Sequence, residues 1–153
     1  MNLELPLNLP SRRPLVTLEG AVTLLDLDPI AITHACENGL LGWAFDLGAG
    51  GPCGTHRREL RIWRGSIAAW LRTGGRDGAS RTPEAEVMAD ILPSRDLRSA
   101  ELWRRLCISR QHLVSLLPEL QVTAPATQAR GINAAELIAH TSVQKLLKSR
   151  RLR

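Results

Sequence analysis

Residues 109–112, Ser-Arg-Gln-His, place four hydrogen-bonding side chains in a row inside the otherwise apolar stretch LCISRQHLVSLL at 106–117. Ser109 can cap a helix by accepting from a main-chain N–H two or three residues on. The positive end of such a helix also favours phosphate. Arg110 and Gln111 have the fork geometries that bond bidentately to guanine and adenine edges respectively. His112 and Ser115 fall one turn further, within reach of backbone or bases. Leu113, Leu116 and Leu117 fall on the opposite side, where a core would lie. A helix that enters a major groove by its first turn needs this division of labour. A second set of candidate contacts is Arg57, Arg58, Arg61 and Arg64, four cations within eight residues. Their spacing suits phosphate or minor-groove contacts from a hairpin. Arg104 and Arg105, just before the 106–109 turn, complete the candidate DNA-binding residues.

The elements that would position these residues can be read twice. Shifting the first half of the chain by 81 positions puts Ala21 on Leu102, Leu25 on Leu106, Leu27 on Ile108, Ile32 on Leu113 and Ala35 on Leu116. It also puts Asp28 on Ser109, and both are good caps. Near the ends the shift is 76, which brings Ile62 to Ile138, Ser66 to Ser142, Ile67 to Val143 and Leu71 to Leu147. Agreement of caps and core positions together indicates an internal repeat. Each copy reads as a helix from near Thr17 or Ser99, a tight turn with one buried aliphatic (Leu27 or Ile108), and a second helix after Asp28 or Ser109. Two extended stretches around a turn-rich tip follow, then a helix from Ser66 or Ser142. In the first copy the strands come from GLLGWAFDL and RRELRIW, where Leu60 and Ile62 alternate onto one face. The expected fold is therefore mostly α with small β-hairpin wings, an α+β class, arranged as a tandem winged helix-turn-helix.

The corresponding second helix of the first copy is chemically unlike its twin. It offers Asp28, Thr33, His34, Glu37 and Asn38, two of them acidic and none a long cation. That helix is expected either to leave DNA contact to the wing arginines or to serve as a protein–protein surface.

The segment RTGGRDGASRTP at 72–83 reads as a linker because of its glycines and its lack of large aliphatics. Thr82 and Pro83 can open a short helix after it, PEAEVMADIL, which Pro93 ends. The expected division is an N-terminal arm at 1–13, a first winged-helix domain at 14–72, a linker with a short helix at 73–93, a second domain at 94–149 and a basic tail at 150–153. Few contacts are expected to cross the linker, and the second half is expected to fold alone.

This arrangement resembles the MerR/excisionase-type winged-helix family. The resemblance is carried by VTLEGAVTLLDLDPIAITHACENGLL with RRELRIWRGSIAAWL, and by LRSAELWRRLCISRQHLVSLL with INAAELIAHTSVQKLL. In the first copy Asn38-Gly39-Leu40 and Arg57-Arg58 match the family's entry into an arginine-rich wing. The second copy keeps Ser109-Arg110 but has Pro118-Glu119-Leu120 where Gly-Leu is usual. The long dimerisation helix of full MerR activators is absent, so the excisionase-like branch fits better. The resemblance implies DNA binding without catalysis, as a transcription regulator or a recombination accessory factor, with a recombinase or a second copy as further partner. The alternative is a protein–protein adaptor that keeps the fold without specific DNA binding.

Composition agrees with a polyanion partner. The net charge is +5, and it arises in the second half: residues 1–75 hold seven arginines and seven acids, whereas 76–153 hold thirteen Lys/Arg and eight acids. A one-sided basic excess favours duplex DNA. No run approaches the roughly 20 apolar residues of a membrane span, and the first residues lack a signal-peptide pattern. A cytoplasmic, nucleoid-associated protein is expected, with Cys36, Cys53 and Cys107 as free thiols. GAGGPCG at 48–54 lacks the Lys-Ser/Thr of a phosphate loop. Cys53 and His56 have metal-like spacing but no second ligand pair. His34, His112 and His140 have no partner nucleophile. Neither cofactor, metal nor enzymatic activity is expected. Trp43, Trp63, Trp70 and Trp103 read as core or wing anchors.

Overall fold

A computed structural model describes residues 13–48, 58–122 and 137–152. The elements run β1 (Leu15–Thr17), α1 (Leu18–Leu25), α2 (Pro29–Glu37), β2 (Ala44–Asp46), β3 (Leu60–Trp63), α3 (Arg64–Thr73) and α4 (Glu84–Ile91). They continue with β4 (Leu97–Arg98), α5 (Ser99–Arg105), α6 (Arg110–Leu116) leading into a 3-10 turn (Leu117–Glu119), β5 (Leu137–Ile138) and α7 (His140–Arg150). The class is α+β. Local chemistry explains the starts. Thr17 caps α1 by accepting from Gly20 N–H at 3.1 Å, and Asp28 caps α2 by accepting from Ala31 N–H at 2.9 Å, with Pro29 in the first turn. Ser109 caps α6 by accepting from His112 N–H at 3.0 Å.

Strand, two helices, strand and helix recur in matching register, with the single bridge Val122–Ile138 standing where the first copy has β2. The α1–α2 turn passes through Asp26 at φ 53° and the α5–α6 turn through Cys107 at φ 57°, two non-glycine residues in the left-handed region. These positions, like the caps Asp28 and Ser109, are 81 apart. Val16 pairs with Ile62 and Thr17 with Arg61, while Leu97 pairs with Ile138 and Arg98 with Leu137. The hydroxyl of Ser66 accepts from Trp43 N–H, and that of Ser142 from Gln121 N–H, each at 3.1 Å.

The copies differ in what their sheets do. The first sheet has order β1-β3-β2, all antiparallel. Its residues alternate between two cores. Ala44 and Ile62 join Ala21, Leu25, Ile32, Ala35 and Ile67 under α1, α2 and α3. Leu15, Phe45 and Trp63 face the other way, with the flanking Trp43 and Leu47. They join Val87, Met88, Ile91, Leu102, Leu106, Leu113, Leu116, Val143 and Leu147 from α4 to α7. The first sheet is thus buried on both faces, and the second half uses its far face as a floor.

This arrangement corrects the expectation that few contacts cross 72–83. The helix that follows that segment, α4, buries Val87, Met88 and Ile91 in the shared core, and Asp90 accepts from the Trp63 indole N–H at 2.7 Å. Upstream of it, Gly42 N–H donates to the Gly78 carbonyl at 2.9 Å. A Cβ on Gly78 would strike the Leu40 carbonyl, and one on Gly42 would strike the backbone of Ser80. The two glycines let the strands of chain touch, so the segment is docked at Gly78, with Ala79 packed against the shared core.

The basic end is corrected too. Arg150 is the last residue of α7 and donates to the Gly48 carbonyl at 2.6 Å and to Glu119 at 2.7 Å. Arg151 donates to the Gly42 carbonyl at 3.0 Å, and its guanidinium carbon sits 3.4 Å from the centre of the Trp43 ring. Leu152 N–H donates to the Ala44 carbonyl at 2.8 Å. Both arginines serve as a clasp on the outer edge of β2.

Candidate nucleic-acid interface

α6 is a seven-residue helix with one face in the shared core. Leu113 and Leu116 are buried, and Ser109, Arg110, Gln111, Val114 and Ser115 are exposed. Positions 110, 111, 114 and 115 fall together on one side of a helix. The result is a strip that carries a guanidinium, a carboxamide, a hydroxyl and an isopropyl group. Ser115 Oγ also donates to the His112 carbonyl at 2.6 Å. Arg104, at the end of α5, is exposed as well.

Other candidates are placed elsewhere, for physical reasons. Arg61 is buried, on the sheet face that the second half covers. Its Nε donates to the Cys107 carbonyl at 3.0 Å and an Nη to the Leu60 carbonyl at 2.8 Å, so it holds the α5–α6 turn and does not reach solvent. His112 is half-buried, and its Nε2–H donates to the Leu47 carbonyl, which turns the ring toward the first sheet. Arg105 donates to the Ile91 carbonyl at 3.1 Å and lies 3.7 Å from Glu101, which ties α5 to the end of α4. The burial of Arg61 is a correction to the DNA-contact set, while His112 and Arg105 are half-buried and held by main-chain carbonyls.

Arg58 is exposed but held by Glu37 of α2 at 2.7 Å, with Asp46 at 4.0 Å. Arg64 is half-buried as the first residue of α3, at the end of β3 away from the hairpin tip. Arg57 lies outside the described residues, as do Cys53 and His56. The structure therefore brings Ser109, Arg110, Gln111 and Ser115 onto one strip, with Arg104 on the preceding helix. Among the described residues, Arg58, Arg61 and Arg64 do not come together as a second one.

Two residues near this strip were not among those expected from the sequence. Val114 is 46% exposed on it and offers an apolar contact of the kind that suits a thymine methyl. Its apolar character had hidden it among core leucines, and its helical position is the signal that could have found it. Arg13, read as the end of an arm, donates to the Cys107 sulfur at 3.6 Å. The α5–α6 turn thus meets two arginines of the first half, Arg13 and Arg61.

The equivalent end of α2 is different. Pro29, Ile30 and Ala31 stand where α6 has Arg110, Gln111 and His112, and all three are exposed. Further along α2, Cys36 is buried, and its thiol is pushed up to about 12 by desolvation first, with the negative charge of Glu37 adding and Arg58 opposing. In the second half Arg95 forks onto Glu101 at 2.9 and 2.8 Å. That hydrogen bonding holds the Glu101 carboxyl below its usual range, against a smaller effect of burial.

Among the described residues no three His, Cys, Asp or Glu side chains converge as a metal site. No described helix is long and apolar enough to cross a membrane. No protein-family model, no curated protein and no solved structure matches the chain.

Proposed function

We propose that the chain is a non-enzymatic, duplex-DNA-binding protein built as a tandem winged helix-turn-helix, and that α6 reads bases from the major groove. The observation that carries this reading is the strip on α6. Arg110 and Gln111 occupy the first turn of a capped helix whose opposite side is locked into the core. A rigid mounting of that kind favours bidentate base contacts, since little backbone freedom is lost on binding. The exposed Arg104 adds a cation beside it, and the basic excess of the second half favours approach to a polyanion.

In this reading the first half is a platform. Its sheet supports the α5–α6 unit through Arg61 and through the Leu47 carbonyl bonded to His112. The biological setting is regulation of transcription or assistance to recombination, on the nucleoid in the cytoplasm. The test is selection of duplexes from a random pool by the intact protein. Enrichment of a short motif that contains guanine, lost with Arg110→Ala, is the expected result. A pool that stays random in sequence after repeated rounds would contradict base readout.

A further inference from the structure

The acidic and basic residues of the chain are segregated more sharply than a division into halves reveals. Residues 14–56 hold five acids, Glu19, Asp26, Asp28, Glu37 and Asp46, and no lysine or arginine. Residues 57–153 hold eighteen Lys/Arg against nine acids. Glu37 and Asp46 lie against Arg58. Asp26 and Asp28 flank the start of α2 and are exposed.

Beside Asp26 and Asp28 the first turn of α2 is apolar, whereas His34, Glu37 and Asn38 further along are exposed and polar. Pro29, Ile30 and Ala31 are all exposed, and Ile30, at 68%, is the most exposed large hydrophobic residue described. A second such residue, Leu40 at 46%, lies just past the other end of α2. Neither contributes to either core. Apolar groups bracketing one helix, with carboxylates beside them, suit a partner that carries a small apolar anchor next to cations. They do not suit phosphates, which like charge repels.

We propose that the start of α2 is a docking site for a basic amphipathic segment of a partner protein. An apolar side chain of that segment packs on Ile30, and its lysines or arginines meet Asp26 and Asp28. The site is separate from the α6 strip, so one molecule can hold DNA and this partner at once.

The test uses the intact chain and three synthetic 18-residue helical peptides. The first has leucines on one face and Lys/Arg on the other. The second replaces the leucines with serine, and the third replaces Lys/Arg with glutamate. Binding is read by fluorescence anisotropy and located by amide NMR shifts. The double substitution Asp26→Asn with Asp28→Asn suits both backbone roles, because Asn tolerates the left-handed region and caps helices well. Ile30→Ser changes an exposed side chain, so the fold should persist and is checked by circular dichroism.

The expected result is binding of the first peptide alone, with shifts confined to residues 26–40. The double Asn variant and Ile30→Ser should each weaken it by about tenfold, while duplex affinity stays unchanged. Several results would overturn the proposal. One is equal binding of the serine peptide, which would mean charge alone. Another is insensitivity to both variants. A third is a fall in duplex affinity with Ile30→Ser. A fourth is a wild-type dimer in sedimentation velocity that Ile30→Ser dissociates, which would make a second copy the occupant.

Discussion

Arg61 Nε donates to the main-chain carbonyl of Cys107 across 3.0 Å, from the middle of the first sheet to the left-handed residue of the α5–α6 turn. One buried cation thus sets the platform against the unit it carries. Arg61→Ala leaves that carbonyl without its donor and opens a void on the sheet face. The expected cost is about 1–3 kcal/mol of stability, read from urea denaturation. The slope of DNA affinity against salt should not change, because Arg61 is buried away from any phosphate. A normal stability with a reduced slope would put Arg61 back among the DNA contacts.

The shared core changes what fragments should do. Leu15, Trp43, Phe45, Leu47 and Trp63 pack against residues of α4 to α7, so a cut between residues 93 and 94 exposes apolar surface on both pieces. The fragment 94–153 should be largely unfolded by circular dichroism, contrary to the expectation from charge and linker composition. Mixing it with 1–93 should restore helix content. A folded, cooperatively melting 94–153 would show that the core is less shared than the packing implies.

How much of this could be read in the sequence depends on the range of the interactions. The repeat, the caps Asp28 and Ser109 and the helix boundaries near them rest on local hydrogen bonds and periodicity, and the sequence carried them. The strand at 60–63 was also legible, but only half of its meaning was. Leu60 and Ile62 marked one buried face. Arg61 reads as a solvent-side wing residue because an arginine in alternation normally marks the wet face. Its burial depends on a carbonyl 46 residues away. The 72–83 segment misled for a related reason. Glycines in such a run signal freedom, whereas Gly78 serves close backbone approach to Leu40 and Leu41. On the site, the strip from Ser109 to Ser115 was visible from its spacing. The inward turn of His112 was not, since it depends on Leu47 from the other half.

Cys36 links burial to pH. Its thiol is raised from an ordinary 9.0 to about 12, chiefly by desolvation. The unfolded chain therefore releases this proton near pH 9, while the folded chain keeps it until about 12. The contribution is complete below pH 9 and is lost as pH rises through that window, by at most about 1.4 kcal/mol per pH unit. Cys36→Ala should be less stable at pH 7 from lost packing, yet show a shallower alkaline decline than wild type. Identical declines in pH-dependent urea titrations would contradict the assignment. Native Cys36 should also resist iodoacetamide until the protein is unfolded.

Arg110→Ala should weaken binding to the selected duplex by about 1–3 kcal/mol and relax the preference at one guanine, with binding to unrelated duplexes much less affected. Competition titrations with single-base variants of the site give both quantities. An equal loss on every sequence would make Arg110 a phosphate contact.

The most direct measurement is the affinity of the intact protein for a labelled duplex over a series of salt concentrations, by fluorescence anisotropy. The account predicts binding at low salt, with the logarithm of the affinity falling linearly as the logarithm of salt rises, and a marked loss in an Arg104→Ala, Arg110→Ala, Gln111→Ala triple variant that still folds. Absence of duplex binding at about 50 mM salt, a regime where phosphate contacts are strong, would contradict it. So would binding that the triple variant leaves intact.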